Sequence, residues 1–526
     1  MCKGYISIIL HSHMPFVRNP NVEDELEERW LFEAMNESYL PLIMVFDDLL
    51  KEGVSFKITM SISPTLMEML EDEYINNRFI KYLNKSIELA EKEIRRTENN
   101  EGLNEIAKFY YERFNNLLRT YTKYDNRLMN AFKKFDKIGV LEIITCSATH
   151  GLLPLLMINK ETVKAQIATA VKSYTEYIGH PPKGIWLPEC AYTYYIDSII
   201  KEYGLEYFIA ENIAILNASP KPRYGTYAPI VTPTGVSLFG RDIEASQQVW
   251  SNIVGYPADI NYREFYRDIG HELDMTYVAP YINQNGIRVD TGMKYYKITG
   301  NTEEKDIYNR KNAIDRVKEH ARHFVNSRNT QIDNVYKHME AKPIITCPYD
   351  TELFGHWWFE GPDFIREILK LKYEKGNEVK LVTPSEYLKE NPLVQYSLPT
   401  PSSWGKNGDF SVWLNPSNDW IVKELHRCGE AMIELANFFE NPTEIQKRAL
   451  NQAARELMLA EASDWSFIIS NNTSFQYATN RVTTHIGRFD RLYKEINNNN
   501  INNEWLIQIE KTDNIFANID YSLYSS

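Results

Sequence analysis

The chain has 526 residues, with 58 basic and 71 acidic side chains and a formal net charge of −13. This length exceeds what one compact core usually holds, so we expect a large body with insertions and at least one further domain. The acidic balance argues against nucleic acid or an anionic membrane as the main partner, because like charges repel. Aromatic residues make up 13% of the chain, a composition suited to stacking on sugar rings.

The cysteines and the N-terminal segment bear on the compartment. The five cysteines form no spaced pairs, so we expect neither disulfides nor a cysteine-bound zinc ion; they are Cys2, Cys146, Cys190, Cys347 and Cys428. No secretory signal pattern opens the sequence, and no apolar run approaches the roughly 18 to 20 residues that cross a bilayer. The sequence therefore predicts a cytoplasmic protein without a membrane partner.

The first part of the chain has the pattern strand, helix, strand. An apolar run at Tyr5–Leu10 precedes an amphipathic stretch at Glu23–Lys51, and a second apolar run follows at Phe56–Ser61. This pattern predicts a βαβ unit. A Lys/Glu/Asn-rich stretch from about residue 71 to 137 then predicts a helical insertion.

Strand and helix patterns alternate after the insertion. The further strand candidates are Leu141–Thr145, Lys183–Leu187, Tyr207–Ala210, Ile230–Thr232, Ser237–Phe239, Ile344–Cys347 and Val379–Val382. Helical patterns at Lys160–Tyr177 and Ile314–Val325 lie between them. Such alternation predicts a parallel sheet, either open or closed into a barrel.

The pattern changes again beyond about Pro399. A loop rich in Trp, Gly and Asn occupies Trp404–Asn415. Three long helical patterns follow, at Asp419–Phe439, Thr443–Ile469 and Phe475–Asn497. We expect a C-terminal helical domain.

Four segments place an ionisable group directly after an apolar run. They are Leu10–Phe16, Cys146–Gly151, Gly184–Glu189 and Cys347–Asp350. Catalytic residues of parallel α/β folds gather where strands end, so these groups are expected on one rim. A retaining glycosidase needs two carboxyl groups about 5 to 5.5 Å apart, and Glu189 and Asp350 could form such a pair. The alternative for a lone carboxyl group is a helix cap or a surface charge, which is the more common case.

His11 and His13 support a rival hypothesis. Two histidines one residue apart on a strand face the same side, as in metal-dependent amidohydrolases and deacetylases. His150, His356 and Asp350 could complete such a metal site. Alternatively, His11 and His13 bind sugar hydroxyls or each other by hydrogen bonds, and the spacing alone does not decide between these alternatives.

Eight tryptophans lie in or near these motifs or in interdomain loops: Trp30, Trp186, Trp250, Trp357, Trp358, Trp404, Trp413 and Trp465. Rigid indole faces suit the successive subsites of a glucan cleft. Core packing is the alternative for about half of them, and we expect it first for Trp357 and Trp186.

These motifs resemble those of glycoside hydrolase family 57, most closely its 1,4-α-glucan branching enzymes, over nearly the whole chain. The five regions of the family resemble His11–Phe16, Ala148–Gly151, Gly184–Glu189, Pro348–Gly361 and Glu461–Trp465. The resemblance implies that Glu189 is the nucleophile and Asp350 the general acid/base of a retaining reaction on α-glucan. It further implies catalysis without a metal ion or another cofactor.

The resemblance also implies the fold and the remaining site. The fold would be an incomplete (β/α)7 barrel over residues 1–398, with a helical insertion at about 71–137, and a C-terminal all-α domain over 399–526 that completes the glucan cleft. The residues that would line the cleft are Trp30, Trp250, Trp404 and Trp413. His13, His150 and Asp464 would contact the sugar near the cleaved bond.

One segment departs from the pattern of the resembled branching enzymes. These enzymes carry a long flexible loop bearing a tyrosine, whereas the corresponding stretch here, about Leu216–Tyr227, is short. Only Tyr224-Gly225 resembles the tip of that loop. The prediction is a branching enzyme that forms α-1,6 links, and the short loop favours an α-1,4-glucan hydrolase as the alternative.

Overall fold

The computed structural model describes residues 2–22, 26–251, 253–282, 287–374, 376–392 and 395–526. It contains ten strands: β1 Gly4–Ser12, β2 Ile58–Ile62, β3 Leu141–Ile144, β4 Gly184–Trp186, β5 Tyr207–Ala210, β6 Ile230–Val231, β7 Ser237–Gly240, β8 Ile344–Asp350, β9 Val379–Leu381 and β10 Gln395–Tyr396. The sequence predicts the first nine, since each is a short apolar run with polar flanks. All nine residues of β1 are buried, as expected of a parallel strand covered on both faces.

Seven parallel strands form the barrel, in the order β8, β1, β2, β3, β4, β5, β7. The junction between β3 and β4 is a parallel bridge between Thr145 and Ile185. Within the described ranges β7 and β8 form no ladder, and they meet through a hydrogen bond of 2.9 Å from the Asp242 N–H to the Thr346 carbonyl. The ring of strands is therefore incomplete on that side, which confirms the expected incomplete (β/α)7 barrel.

Sixteen helices accompany the strands: α1 Glu28–Ala34, α2 Leu40–Lys51, α3 Pro64–Glu71, α4 Glu73–Arg96, α5 Glu101–Lys123, α6 Leu128–Ile138, α7 Leu153–Leu156, α8 Lys160–Ile178, α9 Ile196–Glu202, α10 Asn212–Leu216, α11 Ile243–Trp250, α12 Ile269–Glu272, α13 Met275–Val278, α14 Arg310–Val335, α15 Gly361–Tyr373 and α16 Pro384–Glu390. Local signals start and stop them. Ser63 caps α3 by accepting from the Leu66 N–H, with Pro64 in the first turn, and Gly139 ends α6 at φ +82°.

The helical segment predicted at Glu23–Lys51 is interrupted. A π-helical turn at Met35–Tyr39 joins α1 to α2, and residues 23–25 lie outside the described residues. A π turn holds one residue more than an α turn, so it rotates the side chains that follow it. This turn directs Glu37 and Tyr39 towards the segment that follows β8.

Five further helices form the C-terminal part: α17 Asp419–Phe438, α18 Glu444–Ala460, α19 Ser463–Asn471, α20 Phe475–Asn497 and α21 Asn503–Thr512. The sequence predicts one helix over Thr443–Ile469, and this prediction is wrong, because the chain breaks between α18 and α19. At the break Ala462 pairs with Gly151, and the Ser463 N–H donates to the His150 carbonyl at 3.1 Å. A contact with the barrel rim thus replaces helical hydrogen bonds.

In the described part of the chain, no helix has both the length and the apolar character needed to cross a bilayer.

Candidate active site

A cleft of about 230 Å³ opens at the carboxyl ends of the barrel strands, against the start of α19. Its lining residues are His11, His13, His150, Glu189, Trp250, Asp350, Glu352, Leu353, Trp357, Trp404, Asp464 and Phe467. Eight of them are site residues expected from the sequence. The motifs that follow β1, β3, β4 and β8 therefore meet on one rim, as the strand-end argument predicts.

Glu189 is held by hydrogen bonds to both of its carboxylate oxygens. The residue lies just after β4 in a single turn of 3₁₀ helix, at the left-handed φ of +59°. The Trp404 indole N–H donates to Oε2 at 2.8 Å, and the Ser463 hydroxyl donates to Oε1 at 2.9 Å. A left-handed backbone is costly for a residue with a side chain and recurs at functional sites. The fold thus fixes this carboxylate in one orientation.

Asp350 ends β8 and pairs in register with His11 of β1. Among the described residues no side chain or backbone N–H donates a hydrogen bond to its carboxyl group, although the group faces the cleft. A carboxyl group without donors gains little from ionising. Asp350 is therefore suited to holding a proton, whereas Glu189 is suited to negative charge.

The pKa values of Glu189 and Asp350 agree with a charged Glu189 and a protonated Asp350. Burial raises the pKa of Glu189 to about 7, while the hydrogen bonds from Trp404 and Ser463 act in the opposite direction. Burial also raises the pKa of Asp350 well above its usual range, and the charges of Glu352 and Glu189 raise it further. Near neutral pH the pair can thus hold one negative charge, on Glu189, and one proton, on Asp350.

His11 and His150 form a buried pair in the lining of the same cleft. Their Nε2 atoms are 3.0 Å apart, and the His11 ring stacks on Trp186 with centroids 4.5 Å apart. Their Nδ1 atoms contact the hydroxyls of Ser61 and Ser463, at 3.2 and 2.8 Å. Burial lowers the pKa of both rings. His150 and His13 lower that of His11 further, and His13 lowers that of His150, which Asp464 opposes. The pair is therefore neutral.

His13 and Asp464 are hydrogen-bonded across the junction between β1 and α19. His13 Nε2 lies 3.0 Å from Asp464 Oδ2, and its Nδ1 lies 2.8 Å from the Ser63 hydroxyl. Burial acts to raise the pKa of Asp464, but His13, together with His150 and a backbone hydrogen bond, holds that pKa below its usual value. The ring of His13 also stacks on His150, with centroids 3.9 Å apart. The C-terminal part thus contributes a fixed negative charge to the cleft.

The metal hypothesis depends on the same histidines. The ligand atoms of His13, His150 and Asp464, and those of His11, Cys146 and His150, are close enough to share a metal ion. However, all six nitrogens of the three rings already have hydrogen-bond partners within the protein. A metal ion would have to displace these bonds. The arrangement instead matches the alternative in which the histidines hydrogen-bond one another, as His11 and His150 do.

Two expected cleft tryptophans lie elsewhere. Trp413 is only 2% exposed and packs behind the cleft against Leu152 and Ala191, so its indole has no free face for a sugar. Trp30 is half-buried and contacts Tyr477 edge-on, with centroids 5.6 Å apart, where α1 meets α20. Neither residue is part of the lining of this cleft.

Tyr224 also lies away from the carboxyl pair. Its hydroxyl accepts from the Glu340 N–H at 3.3 Å, and its ring lies beside Arg223. Glu340 precedes β8, whereas Asp350 ends it, and a seven-residue strand spans about 23 Å. The short segment thus packs near the N-terminal end of β8, away from Asp350, and does not bring Tyr224 to the cleft.

The sequence favours core packing first for Trp357 and Trp186, and this prediction is wrong for Trp357 and confirmed for Trp186. Trp186 is fully buried, but Trp357 is 56% exposed and lines the cleft. Phe467 and Glu352 likewise line it without being singled out by the sequence. Their positions are the one sequence signal for them. Glu352 lies within Pro348–Gly361, which resembles a region of the family, and Phe467 lies three residues after Asp464.

Glu352 adds a third half-buried carboxyl group to the cleft, beside Asp350. It accepts a hydrogen bond from the Tyr39 hydroxyl, which the π turn directs towards it. Burial raises its pKa to about 7, and the Tyr39 hydrogen bond opposes this shift. Its charge contributes to the raised pKa of Asp350. The π turn therefore helps to keep Asp350 protonated.

Two family models and a known protein match this chain. Residues 7–339 match the family described as Glycosyl hydrolase family 57, and residues 424–524 match "1,4-alpha-glucan branching enzyme, C-terminal". A 1,4-alpha-glucan branching enzyme of Thermococcus kodakarensis is 34% identical over 94% of this chain and 74% of its own length.

Solved structures share the whole fold. The alpha-amylase AmyC of Thermotoga maritima superposes with a TM-score of 0.94 at 42% identity, covering 100% of this chain and 99% of its own. A branching enzyme of Pyrococcus horikoshii superposes with a TM-score of 0.90 at 34% identity, covering 100% of this chain and 97% of its own. With the family match over more than half of the residues and the carboxyl pair in place, the chain belongs to glycosyl hydrolase family 57.

Proposed function

We propose that this protein is a retaining 1,4-α-glucan branching enzyme, which cleaves α-1,4 links and transfers the released chain to a 6-hydroxyl. The observation that carries the proposal is the carboxyl pair, with Glu189 receiving two hydrogen bonds and Asp350 none from the described residues. The C-terminal match to branching enzymes and the relative at 34% identity support the transferase over other family activities.

The reaction follows from the two protonation states. A Glu189 oxygen attacks the anomeric carbon while Asp350 gives its proton to the departing 4-oxygen, which leaves a glycosyl ester on Glu189. Asp350, now a carboxylate, takes the proton of an incoming 6-hydroxyl. That oxygen bonds to the anomeric carbon, the ester bond breaks, and Glu189 is restored with the α configuration retained.

Other residues of the cleft would bind the glucan. Trp250 and Trp404, in edge-to-face contact with centroids 6.4 Å apart, offer indole faces to sugar rings on the Glu189 side. His13, His150 and Asp464 would contact the sugar that is attacked, because they line the cleft together with the carboxyl pair. Neutral His11 would support His150 through the contact between their Nε2 atoms.

The C-terminal part would complete this glucan cleft. Helix α19 contributes Asp464 and Phe467 to the lining of the cleft and Ser463 as a donor to Glu189. The loop before α17 contributes Trp404. This supports the division into a barrel body over residues 1–398 and a helical domain over residues 399–526. An amylose-like or glycogen-like α-glucan as partner, a place in glycogen synthesis and a cytoplasmic location are part of the proposal.

The second candidate is an α-1,4-glucan hydrolase with the same carboxyl pair. The short segment around Tyr224 leaves nothing of its own over the cleft, and a solved structure at 42% identity is described as an alpha-amylase. Water and a sugar hydroxyl compete for the same glycosyl ester, so exclusion of water decides between the two products.

Incubation of the purified protein with amylose distinguishes these candidates. We expect new α-1,6 links, seen as short chains released only after treatment with a debranching enzyme, in excess of new reducing ends. The Glu189→Gln variant, incubated in parallel, controls for contaminating activity. Reducing ends without any chains released by debranching would contradict the transferase and support the hydrolase.

The Ser463 hydroxyl tunes the nucleophile and gives a prediction on pH dependence. Ser463→Ala removes a hydrogen bond that stabilises the ionised carboxylate, so the pKa of Glu189 should rise. Glu189 must be ionised to attack, and therefore the acidic limb of the kcat/KM profile should move to higher pH by about one unit. Ser470→Ala, on the same helix outside the cleft, should leave the profile unchanged. An unmoved acidic limb in Ser463→Ala would contradict this role.

A further inference from the structure

Trp357 is the most exposed indole that lines the cleft. It is 56% exposed, whereas its neighbour Trp358 is 2% exposed and packs in the core. An exposed aromatic face inside a concave polar site commonly contacts a ligand. The mechanism described above assigns no role to this side chain.

The Trp357 ring is supported as a rigid platform. It stacks on Phe265 with centroids 4.7 Å apart and an angle of 18° between the planes. Its backbone N–H donates to the Glu352 carbonyl at 3.3 Å, and His356, which contacts the ring edge-on, is fixed by Glu37 through a hydrogen bond of 2.7 Å. One face is covered by Phe265 and the side chain remains open to the cleft. A ligand that stacks there loses little side-chain entropy from the protein.

The position of Trp357 indicates which part of the glucan it meets. Trp357 lies with Asp350, Glu352 and Leu353 in the segment at the end of β8, and its N–H donates to the Glu352 carbonyl. Trp404 instead donates a hydrogen bond to Glu189. The acid/base must reach the oxygen that joins the donor sugar to the departing chain, and later the hydroxyl of the acceptor. The sugar beyond that oxygen would therefore lie against the segment that follows Asp350, which includes Trp357.

We propose that Trp357, backed by Phe265, is the stacking platform for the acceptor glucan chain and that it sets the ratio of transfer to hydrolysis. This inference rests on the proposed branching activity and names the acceptor subsite of the same cleft. An acceptor held on the indole places its hydroxyl near Asp350 and excludes water from the glycosyl ester. Without the indole, water reaches the ester more often.

The chain offers a matched control for this proposal. Tyr266 contacts the same Phe265 edge-on, with centroids 5.1 Å apart, is 80% exposed, and does not line the cleft. Tyr266→Ala thus removes an exposed aromatic of similar size from the same support. Trp357→Phe retains a smaller stacking face at the proposed platform.

The test measures new α-1,6 links and new reducing ends from amylose for the unmodified protein and the three variants. We expect Trp357→Ala to lower the ratio of links to reducing ends by about tenfold, Trp357→Phe to restore most of it, and Tyr266→Ala to keep the original ratio. Raising the concentration of a maltooligosaccharide acceptor should partly restore the ratio in Trp357→Ala, which a merely structural defect would not allow.

The outcomes separate the inference from the proposed function. If the unmodified protein forms α-1,6 links and Trp357→Ala keeps the original ratio, or loses both products in proportion, the acceptor role is wrong. If the unmodified protein forms no α-1,6 links, the branching activity itself is wrong, and the acceptor role falls with it.

Discussion

Glu189→Gln should lower both glucan transfer and hydrolysis by on the order of 10⁴-fold or more. The amide is nearly isosteric with the carboxylate and can keep the contacts with Trp404 and Ser463, but it carries no charge and cannot attack the anomeric carbon. The loss should appear equally in new α-1,6 links and in new reducing ends from amylose, because both products pass through the same glycosyl ester.

Glu142→Gln is the matched control for a neutralised buried carboxyl group. Glu142 lies near the start of β3, at the other end of the barrel, where the Tyr207 hydroxyl donates to it at 2.9 Å. Its replacement should leave the activity on amylose near that of the unmodified protein. Measurable branching by purified Glu189→Gln, with a thermal midpoint like that of the parent, would disprove the nucleophile assignment.

Azide provides a stereochemical check on Glu189. Glu189→Ala leaves space where the carboxylate was, so a small external anion can attack the anomeric carbon from the same side. With a substrate that carries a good leaving group, we expect a glycosyl azide of inverted, β configuration. An α azide would mean that another group still forms the covalent intermediate.

Much of the barrel and its carboxyl pair is encoded locally. The nine predicted strands are apolar runs with polar ends, and Glu189 and Asp350 lie at the ends of two of them. Parallel strands bring such ends to one rim whatever the rest of the chain does. For this reason the position of the pair is predictable from a single sequence, whereas its orientation by Trp404 is not.

The start of α19 shows where local patterns fail. The helical periodicity runs on through Glu461, so nothing local predicts that the helix ends at Ala460 and restarts at Ser463. The break depends on the pairing of Ala462 with Gly151, which is more than 300 residues away in the chain. A tertiary contact therefore places two side chains of α19, Ser463 beside Glu189 and Asp464 beside His13.

The tryptophans show the same dependence on packing. Trp357 and Trp358 are adjacent and chemically identical, yet one lines the cleft and the other lies in the core. Trp413 is buried although its segment is rich in turn residues. Sequence composition predicts indole faces near the site, but only the packed structure decides which faces remain open.

Asp350→Asn should slow the reaction on amylose by about 10²- to 10⁴-fold, the usual contribution of a general acid/base. The asparagine cannot protonate the departing 4-oxygen, and it cannot later deprotonate the acceptor. A substrate with fluoride as leaving group needs no proton in the first step. With an α-maltosyl fluoride, formation of the glycosyl ester should therefore be much less impaired, and the ester should accumulate, as a burst of fluoride and the mass of the intact protein would show.

The pH profile distinguishes Asp350 from Glu189. Burial, together with the charges of Glu352 and Glu189, raises the pKa of Asp350 well above its usual range, and the protonated form is the active one. Activity of the unmodified protein should fall as pH rises through that pKa, and this alkaline limb should be absent from the Asp350→Asn profile, while the acidic limb due to Glu189 remains. Azide should accelerate release of the ester in this variant and give an α azide, because it attacks the glycosyl ester from the opposite side to Glu189. An equal loss on amylose and on the fluoride, with the alkaline limb intact, would place the proton donor elsewhere in the cleft, and Glu352 is then the carboxyl group to replace next.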